Sequence, residues 1–215
     1  MDTGPILGWY LYVNSDSKKS KPTPRWVVVN NFWLEISQKS TEEPFLIIHL
    51  GFTETMPLPI EENPGLNTLI VKTNSYSGNF EYKFTTNNRF DIIEFNDSLQ
   101  QGKESWNNLV RNGSPLTSYE ASFKNKKVGL FTKSVECSVS PGGIKISTGK
   151  SSAETTQYTY DQISYVRPIE NKQAQCFEIA LEGGQKSEIQ LQSHGCLEIE
   201  KILAVILYHL AKRGS

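Results

Sequence analysis

The chain has 215 residues, 22 of them basic and 23 acidic, for a formal net charge of -1. Aromatic residues make up 11% and apolar residues 37%, enough to build a core, which argues against disorder. The near-zero charge argues against the broad basic face of a general nucleic-acid binder, and the length fits one large domain or two of about 100 residues each.

The three cysteines, Cys137, Cys176 and Cys196, are odd in number and far apart, which reads as reduced thiols in the cytosol and not as a disulfide framework. The start, "MDTGPILGWYLYVN", lacks a basic region ahead of its short apolar run, so no signal peptide is expected. The most apolar window, "LEIEKILAVILYHL", carries Glu198, Glu200 and Lys201 and is too short and too charged to span a bilayer. These features predict a soluble, cytoplasmic protein.

In chain order, "GWYLYV" from Gly8 and "RWVVV" from Arg25 are aromatic and β-branched, as strands are. Asn30-Asn31 signals a turn into "FWLEI", which makes a hairpin. "FLIIHL" (45–50) is a further strand, the proline-rich "MPLPIEENPG" a loop, and "NTLIVKT" a strand. "FEYKFTT" and "RFDIIEF", either side of Asn87-Asn88, alternate as a second hairpin. The pattern then turns helical over "NDSLQQGKESWNNLVRNG". Ser98 and Gln101 suit a capping box, Gly113 suits a stop, and Trp106 lies on the apolar stripe with Leu99, Leu109 and Val110. Gly102 inside that helix costs about 1 kcal/mol relative to Ala.

"RNGSPLTS" (111–118) has linker composition, and the same order then recurs. "SYEASF", "SVECSV", "IKIST", "QYTYDQISYVRPI", "CFEIAL" and "SEIQLQS" read as strands, with turns at "PGG" and "EGGQ". The chain closes with the helix "CLEIEKILAVILYHLAKR", whose Ile199, Ile202, Leu203, Ile206 and Leu210 share one face. Two halves emerge, 5–112 and 118–213, joined by 113–117. Each is a run of short strands ended by one amphipathic helix.

That order resembles the pleckstrin-homology (PH) superfold, which includes PH, phosphotyrosine-binding (PTB) and FERM F3 domains. Gly8-Trp9-Tyr10-Leu11-Tyr12 resembles the first strand of PH domains, Arg25-Trp26-Val27-Val28-Val29 their second, and Trp106 the tryptophan of their closing helix. In the second half "YTYDQISYV" is similar to a middle strand of PTB and F3 domains, and PH, PTB and F3 remain open there. The resemblance implies a mainly β chain of two PH-superfold β-barrels or sandwiches, each closed by a C-terminal α-helix.

The stretch "DSKKSKPTPR" between the first two strands carries Lys18, Lys19, Lys21 and Arg25. In lipid-binding PH domains this connection holds phosphates, because clustered cations suit a multiply charged head group. Arg25 matches the arginine position, while Tyr12 and Thr23 stand at the two lysine positions. The implied binding is therefore weak and governed by charge count. Lys124, Lys126 and Lys127 form a second basic cluster, followed by Lys133. The bland reading of both is a solvated, edge-protecting set of lysines.

No catalytic constellation emerges. Asp2-Thr3-Gly4 lacks the second copy an aspartic-protease dyad needs, His194 and Cys196 lack further metal ligands, and Gly142-Gly143 and Gly183-Gly184 read as hairpin turns. The chain reads as a non-enzymatic tandem PH-like adaptor or scaffold module with no cofactor and no metal. It would bind a protein or peptide partner, with anionic phospholipid as a second input. In PTB and F3 domains a peptide adds beside the C-terminal helix, here the 157–168 region and 197–213. The rivals are a phosphoinositide-dependent membrane-targeting module and a histone-binding double PH module.

Overall fold

The computed structural model describes residues 7–15, 22–57, 66–128, 131–148, 154–169, 175–191 and 196–213. These residues are mainly β, in antiparallel sheets, with two long helices. The chain divides into two units, Met1–Leu109 and Val110–Ser215.

In the first unit seven strands precede a helix: β1 (Gly8–Ser15), β2 (Thr23–Asn30), β3 (Trp33–Ser37), β4 (Leu46–His49), β5 (Thr53–Pro57), β6 (Asn67–Thr73), β7 (Phe80–Thr86) and α1 (Arg89–Asn112). They form one antiparallel sheet in the order β4-β3-β2-β1-β7-β6-β5. The β2–β3 turn is Asn31-Phe32, one residue later than the Asn pair suggests, because Asn30 still pairs with Trp33. Asn31 takes the left-handed φ of 54° that such a turn requires and that asparagine tolerates. Strand alternation puts Leu11, Val27, Leu34, Ile36, Ile48, Leu69, Val71 and Phe84 into one core. Phe95 and Leu99 of α1 close over that core, with Phe95 against Trp9 and Phe84 at 5.4 and 5.1 Å between ring centroids.

One expectation fails in this unit, for a physical reason. "RFDIIEF" is not the second arm of a hairpin but the first two turns of α1, and β7 pairs instead with β6 and β1. The polar side chains ahead of it decide this. Asn88 Oδ1 accepts the Phe90 N–H, Asn88 Nδ2 donates to Asp91, and Thr86 Oγ1 accepts the Asn88 N–H. These bonds satisfy donors at a helix start, so the Asn pair is a cap and not a turn, and the capping box at Ser98 and Gln101 falls in mid-helix. Phe90 and Ile93 stay exposed as a result, while Phe95, Leu99, Gly102 and Trp106 form the buried stripe.

Of the barrel or sandwich expected, the described strands form no closed barrel. Among the described residues β4 and β5 are the two edges of the sheet and do not pair, although only the 3₁₀ turn Leu50–Phe52 separates them in sequence. Helix α1 occupies that place instead. A Cβ on Gly102 would sit 2.5 Å from Leu50 Cδ1 and 2.6 Å from the Asn31 carbonyl oxygen. One turn on, a Cβ on Gly51 would sit 2.1 Å from Trp106 Cδ1. Both glycines are thus needed for close approach, and the cost that Gly102 imposes on the helix is offset by this seating.

Trp106 ends in a ring cluster around His49, which it meets edge-on at 4.2 Å, with Phe32 and Phe52 alongside. Trp33 meets His49 edge-on at 4.7 Å. His49 is fully buried, its Nδ1 accepts the Gly51 N–H, and its Nε2 finds no hydrogen-bond partner. Burial pushes its pKa down to about 3, the backbone raising it only in part, so the ring is neutral at pH 7.

The second unit has β8 (Tyr119–Val128), β9 (Phe131–Ser140), β10 (Gly143–Thr148) and β11 (Glu154–Tyr158) in a sheet ordered β11-β10-β9-β8. A second sheet, ordered β12-β13-β14, holds β12 (Ile163–Ile169), β13 (Gln175–Leu181) and β14 (Lys186–Leu191). Helix α2 (Cys196–Arg213) packs on β8, β9, β12 and β13 and buries Ile199, Ile202, Leu203, Ile206 and Leu210. At the β9–β10 turn Gly143 has a φ of 124°, and a Cβ there would lie 2.2 Å from the Tyr158 carbonyl oxygen. The stretch 157–169 is not one strand. A 3₁₀ turn at Tyr160–Gln162 splits it between the two sheets, held by the Thr159 N–H donating to Gln162 Oε1.

Two outcomes follow from the seating of α1. Gly102→Ala should lower the melting temperature, although helix propensity alone favours Ala by about 1 kcal/mol. A raised melting temperature would show that the close approach is not limiting. For His49, the unfolded chain takes up a proton near pH 6.5 that the folded chain refuses until about pH 3. Stability is therefore complete above about pH 6.5 and falls as pH drops through that window, by up to about 1.4 kcal/mol per pH unit. Between pH 7 and 5 the melting temperature should decline in the natural protein and decline less in His49→Phe.

Candidate functional site

The β1–β2 hairpin carries the residues with the clearest claim to a ligand. Its register pairs Leu11 with Arg25, Tyr12 with Pro24, Val13 with Thr23 and Tyr10 with Trp26. Directly opposed residues share a face of the sheet, and neighbours along a strand alternate. Arg25 therefore lies on the core side with Leu11, Val13 and Thr23, and its guanidinium sits over the Phe45 ring at 5.2 Å from the centroid. Tyr12 lies on the opposite, outer face.

The structure thus does not bring Tyr12 and Arg25 together. On the core side beyond Arg25 the hairpin presents Val13 and Thr23, neither of them charged, so Arg25 is the one cation that the described part of the hairpin offers there. Lys18, Lys19 and Lys21 lie outside the described residues. Lys124, Lys126 and Lys127 belong to β8, a strand and not a loop, with a register shift between Asn125 and Val128. Their side chains and that of Lys133 are outside the described set.

In the second unit the described cations on the β12–β14 sheet are engaged. Arg167 Nε donates to Glu178 Oε1 at 3.1 Å, and Lys186 Nζ lies 3.6 Å from the same oxygen. Tyr165 donates to that oxygen too, at 2.7 Å. Burial raises the Glu178 pKa, but the Tyr165 and Arg167 hydrogen bonds outweigh it, and the carboxyl stays below its ordinary range. Over the first sheet a shallow concavity of about 510 Å³ is lined by Glu120, Glu136, Ser138, Lys145 and Ser147, a mixed polar wall. Cys137 also borders it, and burial raises that thiol to about 12, so it is a poor nucleophile at neutral pH.

Main-chain edges are a second kind of feature. In the first unit the β5 edge is met by α1. Lys103 Nζ donates to the Thr53 carbonyl at 2.6 Å, and Gln100 Nε2 donates to Thr55 Oγ1 at 2.8 Å. In the second unit β12 is, among the described residues, one of the two edge strands of its sheet, and α2 packs beside it. The end of α2 is tied to the turn before β12, where Arg213 donates to the Tyr160 carbonyl and His209 meets the Tyr160 ring.

Sequence reasoning missed β5, whose "TETMP" is short and ends in proline, and with it the role of Lys103. It also missed that Tyr10, Tyr12 and Trp26 share the outer face. The signal was present, since each of the three sits next to a core residue, Leu11 or Val27, in a period-two strand.

Among the described residues no group of three or more His, Cys, Asp and Glu is placed to hold a metal ion, and no helix is long and apolar enough to cross a membrane. No protein-family model matches the chain, and no curated protein matches it.

A single described cation at the hairpin's core side supplies charge without the converging bonds that distinguish one phosphate arrangement from another. Vesicle association should therefore follow the charge of the vesicle. Phosphatidylserine and phosphoinositide vesicles of matched charge should pellet the protein equally at low salt. Pelleting should fade toward physiological salt, where screening sets in beyond about 8 Å. Preference for one phosphoinositide isomer at matched charge would contradict this.

Proposed function

We propose that the chain is a non-catalytic tandem module of the PH superfold that binds a protein partner in adaptor or scaffold fashion. The first unit is PH-like and the second PH-, PTB- or F3-like. The cytoplasm is the proposed setting, with weak anionic-lipid contact through the β1–β2 connection as a second, peripheral-membrane input. What supports the assignment is the count and order of elements: seven antiparallel strands and then one helix, in each unit.

The observation that carries the protein-binding reading is β12 at the edge of its sheet, with α2 packed beside it. A strand at an edge presents main-chain donors and acceptors that an extended peptide can pair with, and neighbouring side chains then select among peptides. The contrast within the chain favours this site over its counterpart, because the β5 edge is partly taken up by Lys103 and Gln100.

The test is selection of peptides from a random displayed library on the full chain, followed by hydrogen exchange with the selected peptide bound. Slowed exchange should concentrate in 163–169 and 197–213. Failure to select any peptide, or protection confined to other segments, would overturn the reading.

A further inference from the structure

The segment 113–118 between α1 and β8 belongs to the second unit and has no regular structure of its own. It is nevertheless fastened to α2. The Thr117 carbonyl accepts from His209 Nε2 at 2.7 Å, near the C-terminal end of that helix. Tyr119, where β8 begins, donates its hydroxyl to Glu198 in the first turn of α2, and Lys201 Nζ lies over the Tyr119 ring at 5.4 Å from the centroid. The shape of the segment is set locally. Gly113 takes a left-handed φ of 87°, and Ser114 Oγ accepts the Leu116 N–H and donates to the Leu116 carbonyl.

His209 has a second contact. Its ring lies 5.1 Å from the Tyr160 ring, at 32°. Tyr160 opens the 3₁₀ turn that leads directly into β12. It is held at two further points: Arg213 donates to its carbonyl, and its hydroxyl donates to the Ser140 carbonyl at 2.7 Å. One imidazole therefore touches both the segment after α1 and the residue from which the proposed peptide-binding edge starts.

We propose that 113–119 is a strap whose docking on α2 orders the start of β12 through His209, and so regulates peptide binding at that edge. The proposal rests on the β12 reading of protein binding and supplies its regulation. The strap is easily released. None of residues 113–119 is fully buried, and the His209–Thr117 bond is exposed, so opening costs far less than unfolding the unit. Helix α2 does not follow it, because Ile199, Ile202, Leu203, Ile206 and Leu210 anchor the helix in the core. The relay is one side chain with two settings, which is a physical route for coupling. With the strap docked, the bond to Thr117 fixes the imidazole beside Tyr160. With the strap released, the imidazole turns freely and Tyr160 loses one of its three holds. An extended peptide pairs with β12 at least cost when that strand is already ordered, so docking favours binding. By linkage a bound peptide fastens the strap to the same degree.

The experiment is amide hydrogen exchange on the full chain, without peptide, in the natural protein, Tyr119→Phe, His209→Phe and the double variant. Tyr119→Phe removes the bond to Glu198 and keeps the ring beneath Lys201. His209→Phe keeps a ring beside Tyr160 and removes the bond to Thr117. Unchanged exchange in β10 verifies that each variant is folded. Tyr119→Phe should speed exchange in 113–119 about fivefold, the scale of one hydrogen bond, and should speed 160–165 as well. In the His209→Phe background 160–165 should no longer respond to Tyr119→Phe, which is the mark of a relay through His209. No response of 160–165 to Tyr119→Phe, or an equal response in both backgrounds, overturns the proposal. A peptide selected for β12 should slow exchange in 113–119 along with 163–169. Slowing confined to 163–169 overturns the coupling and keeps the β12 site. Failure to select any peptide removes the β12 site, while the response of 160–165 still decides whether the strap acts through His209.

Discussion

Everything in the first unit turns on how α1 is let into the gap between β4 and β5. The two strands are three residues apart in sequence, yet they form opposite edges of one sheet, so the sheet must curl until its edges come near each other. A hydrogen-bonded seam would close it. Instead, Trp106 inserts against Gly51 and His49, and Gly102 rests on Leu50 and the Asn31 carbonyl. The closure is made by side-chain packing, whose strength depends on fit, and the two glycines that permit the fit have no other evident role.

Once that gap is filled by a helix, the rest of the surface is constrained. The β5 edge cannot accept a further strand without displacing Lys103, which already bonds the Thr53 carbonyl. The second unit has the same strand count and closing helix, its described strands form two sheets, and the ties described between the end of α2 and the turn before β12 lie at Tyr160. The described contacts of the two helices with their sheets thus differ. The difference traces to Lys103 and Gln100 on one helix against the largely apolar α2 on the other.

Much of the architecture was legible in the sequence. Periodicity located most strands, placed α2 over its full length and put Trp106 in the core. What stayed hidden has a common cause: short polar signals have two readings. The Asn87-Asn88 pair reads as a turn until Asn88 is seen capping α1, and "RFDIIEF" then loses its strand partner. Gly102 reads as a defect until the Asn31 carbonyl is seen beside it. The hairpin site shows the same limit from the other side. Charge in "DSKKSKPTPR" was conspicuous, whereas the opposite orientations of Arg25 and Tyr12 require the register that pairs Leu11 with Arg25. Propensity and charge are local properties, and register and close approach are not.

The central claim is that α1 packing, and not a strand seam, holds the β4–β5 end of the sheet together. Amide hydrogen exchange on the full chain, natural and Trp106→Ala, tests it most directly. A buried tryptophan truncated to alanine costs about 3–5 kcal/mol, enough to expose where the loss is felt. The account predicts that amides of 46–57 gain exchange first and most, ahead of those in the β2–β3 hairpin. Equal acceleration across all seven strands, or unchanged protection of 46–57, would contradict it.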